Sequence, residues 1–210
     1  TFIDTFGTDK INWTINEGLD LFMTNGTMKA SDFRDSLAKP QQGVKLYKVA
    51  YSSIIPEKND SVVTAYGLIA IPQNVQPNAP IVSYQHGTTL VKADVPSNQR
   101  GEWFISLAAA AQGYIGVMPD YLGMGESPGM HPYQHAHTEA TATIDLIRAA
   151  KQLGDTAGAP ANDQLFLMGY SQGGHATMAA HQLIQEKLDD VMHVTASAPM
   201  SGAYDMSGVM

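Results

Sequence analysis

The sequence predicts an α/β protein: a mostly parallel sheet with helices on both faces, preceded by an antiparallel hairpin. Three observations point there. From residue 102 onward, short apolar runs of strand length alternate with stretches of helical spacing, and such alternation implies right-handed crossovers between parallel strands. Ahead of that region, two strand-like segments flank a turn. Finally, 210 residues at 44% hydrophobic and 15% charged can bury one substantial core without disulfide staples.

Taken in order, residues 1–43 read as an N-terminal packing segment and 44–210 as a single core. Within the first part, apolar positions such as Phe2, Phe6, Trp13 and Leu19 are interrupted by Gly7, Gly18 and Gly26, and only 31–38 reads as a short helix, before Pro40. Residues 44–55 and 62–71 are the hairpin strands, turning at Asp60, and 81–84 is a third strand after the loop marked by Pro77 and Pro80. A helix over 102–112 stops at Gly113, a strand follows over 114–118, and a helix over 138–153 stops at Gly154. In that helix Ala140, Ile144, Ile147 and Ala150 form one apolar stripe, with Glu139 near the N-terminus where the dipole favours it. The run 165–168 fits a strand covered on both faces, and from Ala176 the spacing turns helical. Residues 193–198 are one more strand.

Charge and composition exclude several function classes. A net charge of −8 with 12 Lys+Arg and no basic run argues against nucleic acid as a partner. The absence of cysteine removes disulfides and thiolate metal sites. No apolar run approaches the ~20 residues that a membrane-spanning helix needs. The chain opens at Thr1 with no charged-then-apolar leader, which raises the expectation that a targeting segment precedes this numbering.

Chemistry concentrates at the strand-to-helix junction around Gly169-Tyr170-Ser171-Gln172-Gly173. Gly-x-Ser-x-Gly at such a corner is the nucleophile-elbow signature, a tight turn that presents the serine hydroxyl. The pattern occurs a second time, as Gly125-Glu126-Ser127-Pro128-Gly129. An acyl-transfer serine needs the N–H of the next residue to help hold an oxyanion; Pro128 has none, whereas Gln172 keeps its N–H and opens a helix. Ser127 also lies in a Gly- and Pro-rich loop. A capping serine beside packing glycines is the plain structural reading of Ser171. His86-Gly87-Thr88, directly after the third strand, marks the second donor loop, with the Thr88 N–H as candidate; its plain reading is a turn that uses Gly87 for backbone freedom.

These segments, together with Asp120-Tyr121-Leu122-Gly123-Met124-Gly125-Glu126-Ser127, resemble the α/β-hydrolase superfamily. The wording Tyr84-Gln85-His86-Gly87-Thr88, Pro119-Asp120-Tyr121 and Gly169-Tyr170-Ser171-Gln172-Gly173-Gly174-His175-Ala176 is similar to its secretory lipase branch, over about 44–198. The resemblance implies a serine ester hydrolase with Ser171 as nucleophile, Thr88 and Gln172 as oxyanion donors, no cofactor, and a small-molecule or lipid ester as substrate. It also implies secretion, or a periplasmic or cell-envelope location.

The superfamily order of Ser, then Asp or Glu, then His is not completed within the sequence. After Ser171 come Asp205 and a histidine at 193 that begins a strand instead of following one, while His175 lies one helical turn beyond the serine, where a packing or supporting role suits it better than the role of base. The triad acid and histidine are therefore expected beyond residue 210, in a C-terminal portion missing after the 193–198 strand. Two other readings stand beside the hydrolase: a catalytically silent binding or structural fragment, and an acyltransferase using the same serine. His131, His135 and His137 invite a zinc reading, but their loop setting before the helix at 138 argues for hydrogen-bonding roles, and no metal is expected. Asp120 and Glu126 could be taken for a glycosidase pair; Asp120 at a strand end is expected to fix its loop by accepting backbone hydrogen bonds.

Overall fold

The computed structural model describes residues 1–23, 38–74, 78–205 and 208. The helix expected at 31–38 lies outside the described residues but for Ala38. Strand β1 (Phe2–Phe6) leads into helix α1 (Thr8–Met23), and strands β2 (Val44–Ile55) and β3 (Ser61–Pro72) follow as the expected hairpin. Then come β4 (Ala79–Gln85), α2 (Phe104–Ala111), β5 (Ile115–Pro119), α3 (Ala136–Ala157), β6 (Ala161–Tyr170), α4 (Gln172–Lys187) and β7 (Ala196–Met200).

The described strands form one sheet in the order β1-β2-β3-β5-β4-β6-β7. Pairing is antiparallel from β1 to β5 and parallel from β5 through β7. The chain steps from β4 outward to β5, then back across β4 to β6. This reversal creates a crevice outside the carboxyl ends of β4 and β6, where open α/β sheets place ligands. Both segments singled out in the sequence, His86-Gly87-Thr88 and Ser171, leave the sheet there.

Alternation along the strands builds two cores. Ile69, Ile71, Ile115, Val117, Leu165 and Leu167 face α3 and α4, joined by Ile144, Ile147, Ala180 and Ile184. Leu68, Ala70, Tyr84 and Met118 face the other way, onto Leu107 and Ala110 of α2 and Ile11 and Ile15 of α1. Glycines mark where helices come closest: a Cβ at Gly116 would meet the Ser106 carbonyl, and one at Gly67 would meet the Leu146 side chain.

Three expectations change. The N-terminal segment holds a strand and a full helix that sequence reading passed over. β1 extends the sheet beside β2, pairing Phe6 with Val44, and Gly18 interrupts the pattern only because the Phe104 ring packs against its Cα. Helix α3 does not stop at Gly154 but runs to Ala157 and ends at left-handed Gly158. The Ala159 N–H returns to the Gly154 carbonyl at 2.8 Å, so Gly154 serves the close approach of the returning chain, and Gly158 supplies the positive φ. The last strand begins at Ala196, leaving His193 in the irregular segment before it.

Leu146 is wholly buried and fills the notch over Gly67. Leu146→Ala is expected to lower the free energy of unfolding by about 2–5 kcal/mol, measured by urea denaturation.

Candidate functional site

Ser171 sits at the corner between β6 and α4 with φ 59° and ψ −119°, a conformation that a non-glycine residue holds only where its surroundings impose it. The surroundings are backbone. A Cβ at Gly169 would meet the Gly173 carbonyl, one at Gly173 would meet the Gln85 carbonyl, and one at Gly174 would meet the Met200 carbonyl. The first turn of α4 is thus pressed onto the carboxyl ends of β4 and β7. The Ser171 N–H donates to the Met200 carbonyl at 3.0 Å, which ties the corner to β7.

The loop after β4 lies against this corner. A Cβ on Gly87 would stand 3.4 Å from the Tyr170 carbonyl and 4.0 Å from the Ser171 Cβ. The Gly87 N–H donates to Glu102 at 3.3 Å, and the Thr88 hydroxyl pairs with the Tyr133 hydroxyl at 2.9 Å. Burial raises the Glu102 carboxyl above its ordinary range, opposed by hydrogen bonds from Tyr84 and the Gly87 N–H. Burial also holds the His86 imidazole low, favouring its neutral form, although the Gly87 and Asp120 carbonyls pull the other way. A cavity of about 360 Å³ opens here, lined by His86, Gly87, Thr88, Thr89, Asp94 and Glu102 among others.

Below the corner runs a continuous polar and aromatic chain. Tyr121 packs on His86 with ring centres 4.4 Å apart, donates its hydroxyl to the His86 carbonyl at 2.9 Å, and stacks on His131 at 5.7 Å. The His131 Nε2 lies 2.8 Å from the Gln172 Nε2, and Gln172 donates to the Glu139 Oε1 at 2.7 Å. The Glu139 Oε2 takes the His175 Nδ1 at 2.7 Å. Ser171, Gln172 and the 86–88 loop therefore meet in one place, at the mouth of the crevice.

The secretory lipase family profile matches residues 91–199, more than half of the chain. The chain belongs to the secretory lipase family. Among solved structures it is similar to a Legionella pneumophila protein described as a hydrolase, with 32% identity and a TM-score of 0.79 over 96% of this chain and 51% of that one. It is also similar to the rice cell wall degrading esterase LipA from Xanthomonas oryzae, in a ligand-bound form, with 28% identity and a TM-score of 0.74 over 96% of this chain and 49% of that one. Candida antarctica lipase A in its closed state shares the fold, at 22% identity and a TM-score of 0.56 over 73% of this chain and 37% of that one. This family member thus spans about half the length of the first structures it matches. No match is found among curated proteins. Among the described residues no helix is long and apolar enough to cross a membrane.

Other sequence candidates of this lipase-family chain lie elsewhere. His193 pairs with Asp189 at 3.0 Å, at the amino end of β7, whereas Ser171 lies at the carboxyl end of the neighbouring strand. Asp205 accepts the Gly208 N–H at 2.8 Å. His135 and His137 both address Glu57 Oε1 on the surface, while His131 belongs to the chain under the corner. Ser127 is fully buried: its hydroxyl donates to the Thr64 carbonyl at 3.0 Å and accepts the Gly123 N–H at 3.1 Å, clasping the 120–127 loop to β3. Asp120 fixes this region as expected, though the donors come from another loop, the N–H of Ser97 at 2.9 Å and its hydroxyl at 2.6 Å.

Sequence reading missed Glu139 and Tyr121. In sequence Glu139 suits the helix dipole, yet it falls in register with Thr143, Leu146 and Ala150, all buried on one stripe. An acidic residue on a buried stripe is the signal that was available.

Two outcomes follow from these placements. Ser127→Ala should destabilise the fold by about 1–3 kcal/mol, measured by urea denaturation, because the Gly123 N–H loses its buried acceptor. Burial pushes the Asp120 carboxyl up to about 6 despite the Ser97 bonds. The folded chain then binds more protons than the unfolded chain between about pH 4 and 6, so this group's contribution falls as pH rises through that window, by up to about 3 kcal/mol. Comparing wild type with Asp120→Asn by urea denaturation across that range should show the difference.

Proposed function

We propose that this secretory lipase family member is a serine ester hydrolase acting through an acyl-enzyme on Ser171. One observation carries the reading: a serine at φ 59°, between a parallel strand and a helix N-terminus, with the His86-Gly87-Thr88 loop packed against it. The Ser171 Oγ attacks the ester carbonyl, the N–H groups of Thr88 and Gln172 hold the developing oxyanion, the alcohol leaves, and water releases the acid. Each oxyanion donor is worth roughly 3 kcal/mol. The positive end of α4 adds to that field.

The acid and histidine of the triad would come from residues outside these 210. That reading is supported by the half-length span against relatives and by the positions of His193 and Asp205 away from Ser171. A missing C-terminal portion of the same protein is thus the expected partner, and a small-molecule or lipid ester the substrate, without a cofactor. The esterase name printed for the Xanthomonas oryzae relative supports a carboxylic ester over other hydrolysable bonds, and the family's description supports secretion.

The test is covalent labelling of the full protein with a fluorophosphonate, followed by peptide mapping. Label is expected on Ser171, and Ser171→Ala should lose labelling and at least about 10⁴-fold of ester hydrolysis with the fold intact. Label on another serine would overturn the assignment.

A further inference from the structure

Glu139 is a carboxylate sealed beneath the corner. It stands in the first turn of α3, is 1% exposed, and accepts three donors: the Gln134 N–H at 3.1 Å, the Gln172 Nε2 at 2.7 Å and the His175 Nδ1 at 2.7 Å. Two of these donors belong to the first turn of α4, directly after Ser171.

Proton directions along this chain are determined by its ends. The His131 Nδ1 faces the Leu122 carbonyl at 2.9 Å and must donate to it, which leaves the Nε2 of neutral His131 as an acceptor. Gln172 then gives one amide hydrogen to that Nε2 and the other to Glu139. A flipped amide would set its oxygen against a ring lone pair and a carboxylate at once. The Gln172 side chain therefore has one orientation, held from two sides, in a residue that is 1% exposed. Gln172 is the first residue of α4, so these two bonds anchor a side chain of the same turn that carries its N–H.

We infer that Glu139 is a positioning residue for the oxyanion side of the site, acting through Gln172. This rests on the reading of the Gln172 N–H as an oxyanion donor. Without Glu139 a buried amide hydrogen loses its acceptor, the side chain has one anchor instead of two, and the N–H loses its fixed direction. Donors aimed at charge that develops only in the transition state affect turnover more than substrate affinity.

The experiment measures the second-order rate of fluorophosphonate labelling, and kcat and KM for p-nitrophenyl butyrate, on the full protein. Glu139→Ala should slow labelling and kcat by about 10–100-fold with KM nearly unchanged. Glu139→Gln keeps an acceptor oxygen for Gln172 and should stay within about 3-fold of wild type. Gln172→Met, which fills similar space without the bonds and does not depend on Glu139→Ala folding, should lose as much as Glu139→Ala. In the Gln172→Met background, Glu139→Ala should add little. A purely structural role would reduce the fraction of protein that labels and leave its rate alone. Wild-type rates in Gln172→Met, additive losses in the double variant, or a loss confined to KM would each overturn the inference. Ser171→Ala separates the two levels: if it still labels, the esterase reading fails; if it does not, while Gln172→Met labels at the wild-type rate, only the positioning role fails.

Discussion

The structure depends on one close approach, the seating of the first turn of α4 on the carboxyl end of β4. At Gly173 no side-chain atom fits, because the Gln85 and His86 carbonyls occupy the space a Cβ would need. That contact forces the corner at Ser171 to be tight, and the tight corner accounts for the positive φ. The same seating brings the loop after β4 beside the serine, where a Cβ on Gly87 would stand 4.0 Å from the Ser171 Cβ. A bulkier residue at 169, 173 or 174 would separate elements whose contact defines the crevice.

Helix α3 contributes to the site without reaching its mouth. Its apolar stripe covers the sheet, and at the start of that stripe Glu139 replaces one apolar position with a carboxylate. A buried charge persists only when it is fully bonded, and here three donors arrive from outside its own helix. The N-termini of α3 and α4 both lie beside it, so two helix dipoles favour the negative charge. Packing and electrostatics are thus satisfied by one element, which covers the core along its length and anchors the corner at its tip.

Much of the fold was legible because strands covered on both faces leave little room for polar residues. The runs at 114–118 and 165–168 announce themselves that way, and the hairpin is marked by its own turn. The N-terminal strand and helix were not legible: Gly18 looks like a break, and only the Phe104 ring, distant in sequence, explains it. Gly154 misled for the same reason, its neighbour being the returning chain. At the site, the backbone features could be read from short motifs, since glycine spacing and a missing proline N–H are local facts. The side-chain chain beneath was not local. His131, Glu139 and Gln172 meet only after the crossover from β5 to β6 is complete, and each taken alone has an ordinary interpretation.

The scattering of that network along the chain also bears on how the protein comes together. During synthesis Glu139 is made well before Gln172 and His175, so a carboxylate destined for burial must wait in water until α4 arrives. Closing α3 over the sheet ahead of that moment would leave the charge with the Gln134 N–H alone of its three donors, which opposes early closure. Docking of α4 and withdrawal of Glu139 from solvent are therefore expected to be a single late step, and the corner that holds Ser171 takes its shape in the same event.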